Sequence, residues 1–262
     1  MLLRSAFAYG LIAVSSMLLV TSQSDADVVV SKDFAGSGVF QVGGHSVTLS
    51  ADALFTLDKT TDVLTVLLSN TSPAAGFKIG GAEVLTELFF NATDKLTPIS
   101  ATLPSGSHIV GSVPAGQTLG GNWEYLATSH APSDIPNHVL ASSGVYAKAP
   151  HKHSAATFGP PSRHGFGGPS WGLVDTSDRR GIARGDLPVV DNQILFAFQA
   201  DPHFTLNELG PSVVFQFGTT RHGPELVGPD PPSPNADAPE PGSLAIWGVL
   251  GLAGIVYRRR RV

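Results

Sequence analysis

The chain has 262 residues, a formal net charge of −5, only 14% charged residues, no cysteine, and 49 positions occupied by Gly or Pro. The missing cysteines exclude a disulfide framework, a thiol nucleophile and a thiolate metal site. An acidic balance with no basic run ahead of the extreme C-terminus argues against nucleic acid, whose phosphates need clustered Lys and Arg, and the Gly and Pro content points to β structure with many turns.

In chain order, Met1 to Arg4 is a short basic segment, Ala6 to Val20 is apolar, and Ser24-Asp25-Ala26 is a small-x-small site. That order predicts an export signal over residues 1–26, cut between Ala26 and Asp27. An uncleaved N-terminal anchor is the alternative, for which the apolar run is short.

Strand signals begin at once. Val28 to Val42 leads through Gly43-Gly44, a hairpin-type break, into Ser46 to Leu57, where Val47, Leu49, Ala51, Ala53 and Phe55 share one alternating face. Leu54 and Leu57 read as breaks in that alternation. After the polar turn Asp58 to Thr61, the run Val63 to Leu68 looks too apolar for a strand with one wet face, and pairs with the preceding run as an antiparallel hairpin. Val84 to Asn91, Leu96 to Leu103 and His108 to Gly111 read as further strands. The sequons Asn70-Thr71-Ser72 and Asn91-Ala92-Thr93 read as strand ends and turns.

From Ala115 to about Pro188 the periodicity fades. Short strands near Asn122 to Thr128 and Gly144 to Ala147 are expected, followed by a long surface excursion rich in Gly, Pro and His. Candidate chemistry concentrates here. His130, His138, His151, His153 and His164 are candidate metal ligands, since neutral imidazole suits zinc, copper or nickel, against a plainer reading as loop residues. Asp175 with Asp178, or Asp186 with Asp191, are candidate acid–base pairs. Trp123, Tyr125 and Trp171 are candidate rings for a sugar-binding platform, against burial in the core. No Gly-x-Ser-x-Gly, His-Glu-x-x-His, phosphate-loop or EF-hand pattern occurs. The expectation is therefore a non-enzyme with no catalytic, cofactor-binding or metal-binding residue assigned, and no cofactor.

Gln193 to Gln199 and Ser212 to Gly218 return to strand character, bounded by turn formers. Between His222 and Pro241 lie seven prolines in 20 residues, which predicts an extended polyproline-type stalk over 222–238. The chain ends in Pro239-Glu240-Pro241, an apolar run from Leu244 to Tyr257, and Arg258, Arg259, Arg260 and Arg261 before Val262. Physically this is a membrane-inserting segment with a cytoplasmic stop. Its 14 apolar residues span about 21 Å as a helix, against a hydrocarbon core of roughly 30 Å, so it suits a temporary hold better than a permanent anchor.

Pro239-Glu240-Pro241, the short apolar span and the terminal Arg cluster, in that order, resemble the PEP-CTERM sorting signal of exosortase-processed bacterial surface proteins. The order Leu64 to Ser72, Val84 to Phe90, Leu96 to Leu103 and Val214 to Thr219 is more loosely similar to the extracellular part of such proteins. The resemblance implies recognition by a membrane-embedded exosortase, removal of the tail near the Pro-Glu-Pro, taken as the residues after Pro241, and delivery to the cell surface or extracellular matrix of a Gram-negative-type bacterium. Loss of both ends would leave 11 basic and 20 acidic residues, a net charge of −9.

The expected architecture is thus an all-β protein. A signal helix over 1–26 precedes an antiparallel, jelly-roll-like β-sandwich over 27–221. A Pro-rich linker over 222–238 and a sorting tail with a transmembrane helix over 239–262 follow. The expected function is that of an exported, non-catalytic surface or matrix protein. Signal peptidase and exosortase would be its processing partners, the membrane its tether before tail cleavage, and extracellular polysaccharide a further partner. The alternative is a secreted metal-dependent or carbohydrate-active hydrolase using residues 130–191.

Overall fold

The computed structural model describes residues 28–73, 81–92, 96–127, 136–142, 156–159, 170–175, 187–218 and 223–229. In chain order they form fourteen strands: β1 (Val29–Val42), β2 (His45–Asp58), β3 (Val63–Asn70), β4 (Leu85–Phe90), β5 (Leu96–Thr102), β6 (His108–Val110), β7 (Glu124–Ala127), β8 (His138–Ala141), β9 (Ala156–Thr157), β10 (Leu173–Val174), β11 (Val189–Asp191), β12 (Gln193–Ala200), β13 (Ser212–Phe217) and β14 (Glu225–Pro229). Helical turns among these residues are 3-10 and short, at Gly120–Asn122 and Leu206–Leu209. The fold is all-β, and no helix among the described residues is long and apolar enough to cross a membrane.

The first sheet has the order β1-β2-β3-β12-β5, with antiparallel neighbours throughout. Its opening hairpin follows directly from local chemistry. Gly43 and Gly44 both take positive φ, 56° and 81°, as a two-residue turn matched to the strand twist demands. On β2, Val47, Leu49, Ala51, Ala53, Phe55 and Leu57 are all buried, so Leu57 continues the alternation that it seemed to break. Leu54, 37% exposed, faces outward. In the next turn the Asp58 carboxylate accepts hydrogen bonds from the Thr60 and Thr61 amides and the Thr61 hydroxyl, which holds that carboxyl below its ordinary range. β3 corrects the reading of 63–68 as doubly buried: Leu64, Val66 and Leu68 point in, while Val63, Thr65 and Leu67 are only partly covered. A strand needs just one dry face, and β3 keeps the usual alternation with apolar residues on both sides.

The second sheet branches at β4. β14, β13, β4, β8, β7 and β9 run side by side in antiparallel pairs, and from the start of β4 a second arm continues through β10, β11 and β6. β10 and β11 pair in parallel. Here the structure departs furthest from expectation. β7 falls where a short strand near Asn122 to Thr128 is expected, but β8 occupies a stretch assigned no strand, β9 and β10 lie within the stretch read as a surface excursion, and β8 and β10 are buried. Glu225–Pro229, read as the start of the linker, is an edge strand: its prolines flank it or close it, positions where a missing N–H breaks no rung. The expected strand at 144–147 falls outside the described residues, as do the signal segment before Val28 and the chain after Pro229.

The two sheets share one core. Phe34 and Phe55 of the first sheet meet edge to face at 5.6 Å, and Phe55 meets Phe90 of the second at 5.3 Å. The chain of rings continues through Tyr125, Phe198, Phe158 and Phe196 to Trp123, each step between 5.0 and 6.0 Å. Those spacings are the favourable edge-on and offset arrangements of aromatic pairs. Buried Asn70 fastens the layers at one end. Its side-chain amide donates to the carbonyls of Glu83 and Leu173, and its oxygen accepts from the Ser72 amide.

Candidate functional site

The rings weighed as a sugar platform against burial in the core are interior, as the core reading has it. Trp123 is 0% exposed, Trp171 1% and Tyr125 7%. Trp171 donates its indole N–H to the Gln117 side chain at 3.0 Å, and Trp123 donates to the Trp171 carbonyl at 3.0 Å, so both polar edges are satisfied inside. Trp171 holds a left-handed φ of 65°, and its own amide donates to Pro188. The alternative of a sugar platform is set aside in favour of core packing: each ring reaches the core from a short element, so no period in the sequence marks it.

Of the five candidate histidines, His138 is described, and it too is buried. Its ring stacks on Tyr125 at 5.1 Å and 11°, with Nδ1 2.7 Å from the Asn137 side-chain oxygen. His130, His151, His153 and His164 lie outside the described residues. Among the described residues no group of three His, Cys, Asp or Glu side chains is placed to hold a metal ion. Of the carboxylate pairs, Asp178 and Asp186 lie outside, and Asp191 is paired instead with His108, its cross-strand neighbour, at 3.2 Å. Asp191 is 2% exposed and His108 46%, so a buried carboxylate orients an imidazole that reaches solvent. Their 83-residue separation left no signal for the pair.

A row of polar residues on the second sheet was likewise invisible in the sequence. Across the outer face of the second sheet, the register aligns Glu225, Gln216, Glu87, Ala141 and Glu124 in one row over five strands. Glu87 is 1% exposed and Gln216 2%. Burial pushes the half-buried Glu124 carboxyl above its ordinary value. Beside that row runs an apolar one, Val214, Phe89, Val139 and Leu126, which with Ala141 forms a second buried cluster. Glu87 and Glu124 flank Ala141 about two strand spacings, roughly 10 Å, apart.

The residues assigned to processing, Ala26, Asp27, Pro239, Glu240, Pro241 and Arg258 to Arg261, are outside the described residues. The two sequons are structural where seen: Asn70 is 2% exposed with its amide engaged, and the Asn91 side chain accepts from the Asn137 amide. Comparison with family models, with curated proteins and with solved structures found no match.

Proposed function

We propose that this chain is an exported, non-catalytic surface or extracellular-matrix protein whose C-terminal tail is held and cut by an exosortase-type membrane protease. The observation that carries the reading is the tail itself: Pro239-Glu240-Pro241, then Leu244 to Tyr257, then Arg258 to Arg261, in that order. On this reading the apolar run is a temporary transmembrane helix, and the two-sheet body is a jelly-roll-like sandwich carried as cargo.

The positions of the described ends are compatible with removal of both segments. Val28 already accepts a backbone hydrogen bond from Lys59, directly after the proposed cut between Ala26 and Asp27. At the other end β14 finishes at Pro229, ten residues before Pro239. Neither cut would remove a rung of either sheet. The stretch left as spacer is 230–238, about 28 Å at 3.1 Å per residue if it is polyproline-like. The acidic mature chain suits a soluble life outside the cell and contact with neutral matrix polymers such as polysaccharide.

The test is intact mass and terminal sequencing of the protein recovered from membranes and from medium. The proposal expects a chain starting at Asp27 in both and, in the released form, an end near Pro239. Deleting residues 239–262 should shift the protein from its surface location while leaving its folding intact. A released protein that retains Arg258 to Arg261 would sink the sorting proposal.

A further inference from the structure

β14 is an end strand of its sheet, and it is the last strand among the described residues. Among the described residues it hydrogen-bonds to β13 alone, through five residue pairs from Ser212 and Pro229 to Gln216 and Glu225. Its other side lies against β1, and glycines make the approach close. A Cβ on Gly36 would stand 3.2 Å from Leu226 Cβ and 3.3 Å from the Val227 carbonyl oxygen. One on Gly38 would stand 2.9 Å from Leu226 Cδ2, and one on Gly228 would stand 2.6 Å from the Phe215 ring. Leu226 is 5% exposed in this slot, whereas Val227 beside it is 62% exposed.

So β14 closes the gap between β1 and the second sheet with one buried leucine and one set of rungs. β3 and β12, by contrast, are paired along both edges and bury Leu64, Val66, Leu68, Ile194, Phe196 and Phe198. Local opening free energy follows buried apolar contact and backbone pairing, which ranks β14 far below β3. The chain also continues for 33 residues beyond Pro229, so any tether on those residues loads β14 first. Opening would uncover the inward face of β1 at Gly36 and Gly38, where β14 now packs.

We propose that β14 opens as a unit while both sheets stay folded, and that the vacated slot takes the β14 of a second copy, producing a strand-exchanged dimer. The slot selects its own occupant. Gly36, Gly38 and the Phe215 ring accommodate a leucine followed two residues later by a glycine, the pattern Leu226-Val227-Gly228, and an exchanged strand restores every contact of the closed form. The inference stands independently of the sorting reading.

The absence of cysteine makes a clean test. Val214 and Val227 oppose each other in register, and directly opposed residues of antiparallel strands lie about 4.5–5.5 Å apart at Cα, within disulfide reach. The full chain carrying Val214→Cys and Val227→Cys is incubated reduced over a range of concentrations and then oxidised. The expected result is a within-chain crosslink at low concentration and a disulfide-linked dimer whose share rises with concentration. Within-chain crosslinks alone at every concentration overturn the exchange. On the unsubstituted chain, hydrogen exchange should be at least about ten-fold faster over 225–229 than over β3. Equal rates overturn independent opening. Gly38→Ala should accelerate exchange in β14 several-fold with β3 unchanged, and parallel acceleration in both would also overturn it.

Discussion

The outer faces of the two sheets differ in what they meet. On the first sheet the register sets out rows such as Ser31, Thr56, Thr65, Ala197 and Ser100, and beside it Asp33, Leu54, Leu67, Leu195 and Thr102. These side chains are exposed or half-buried, and where Asp52 lies near Asp33, partial burial and then their mutual repulsion raise the Asp52 carboxyl. On the second sheet the equivalent face carries Phe89, Val139 and Ala141 at 1% exposure or less, beside buried Glu87. One sheet is dry on a single face and the other, at its centre, on both. Antiparallel sheets usually afford one wet face, so the second sheet is the unusual one.

That contrast predicts unequal responses to similar substitutions. The largest should come from the shared core: Phe55→Ala, which removes the ring between Phe34 and Phe90, is expected to cost about 3–5 kcal/mol in urea unfolding, whereas Leu54→Ala next door should cost less than about 1 kcal/mol. Similar losses from both would mean that the first sheet's outer face is covered too. Next comes the fastening at Asn70. Asn70→Ala leaves the Glu83 and Leu173 carbonyls without their donor and should cost about 2–3 kcal/mol, with a smaller loss for Gln193→Ala, whose bond to Ser69 lies on the wetter face.

The outer faces can be compared directly by Val139→Ala and Thr56→Ala. The first should lose about 1.5–2 kcal/mol and the second less than about 0.5, and equal values would erase the distinction between the sheets. The smallest effect is a pH dependence. Burial disfavours the charged form of Glu124 in the folded state, so its contribution is a cost, absent below the ordinary value of 4.5 and developing as pH rises through the higher folded value. Glu124→Gln should therefore stabilise the protein slightly at pH 7, by well under about 1 kcal/mol after solvent screening, and leave stability at pH 4 unchanged. Denaturant midpoints at the two pH values measure the difference, and destabilisation at pH 7 would contradict the assigned cause.

The same contrast explains which parts could be foreseen. β1, β2 and β3 are consecutive, joined by Gly43-Gly44 and by the Asp58 turn, and long enough for the period of two to show. β12 and β13 are marked by dense β-branched and aromatic residues between turn formers. By contrast β8, β9, β10 and β11 have two to four residues each, too few for a period, and β4 takes partners from residues 138–141, 173 and 214–217. The candidate functional residues fared likewise. Trp123, Tyr125, Trp171 and His138 were legible as unusual residues, and their burial among one another was not.

By itself the sequence determined an all-β protein without disulfides, the hairpins at its start, and the three-part order of the tail on which the sorting proposal rests, because each of these depends on neighbours in the chain: alternation, turn residues, or an apolar run beside arginines. Only the tertiary structure decided that Glu225–Pro229 belongs to the fold, that the aromatic residues of the middle stretch are core, and that Glu87, Gln216 and Glu124 share a row. Those facts depend on strand register between segments up to 130 residues apart, and register is set by which faces bury together rather than by local pattern.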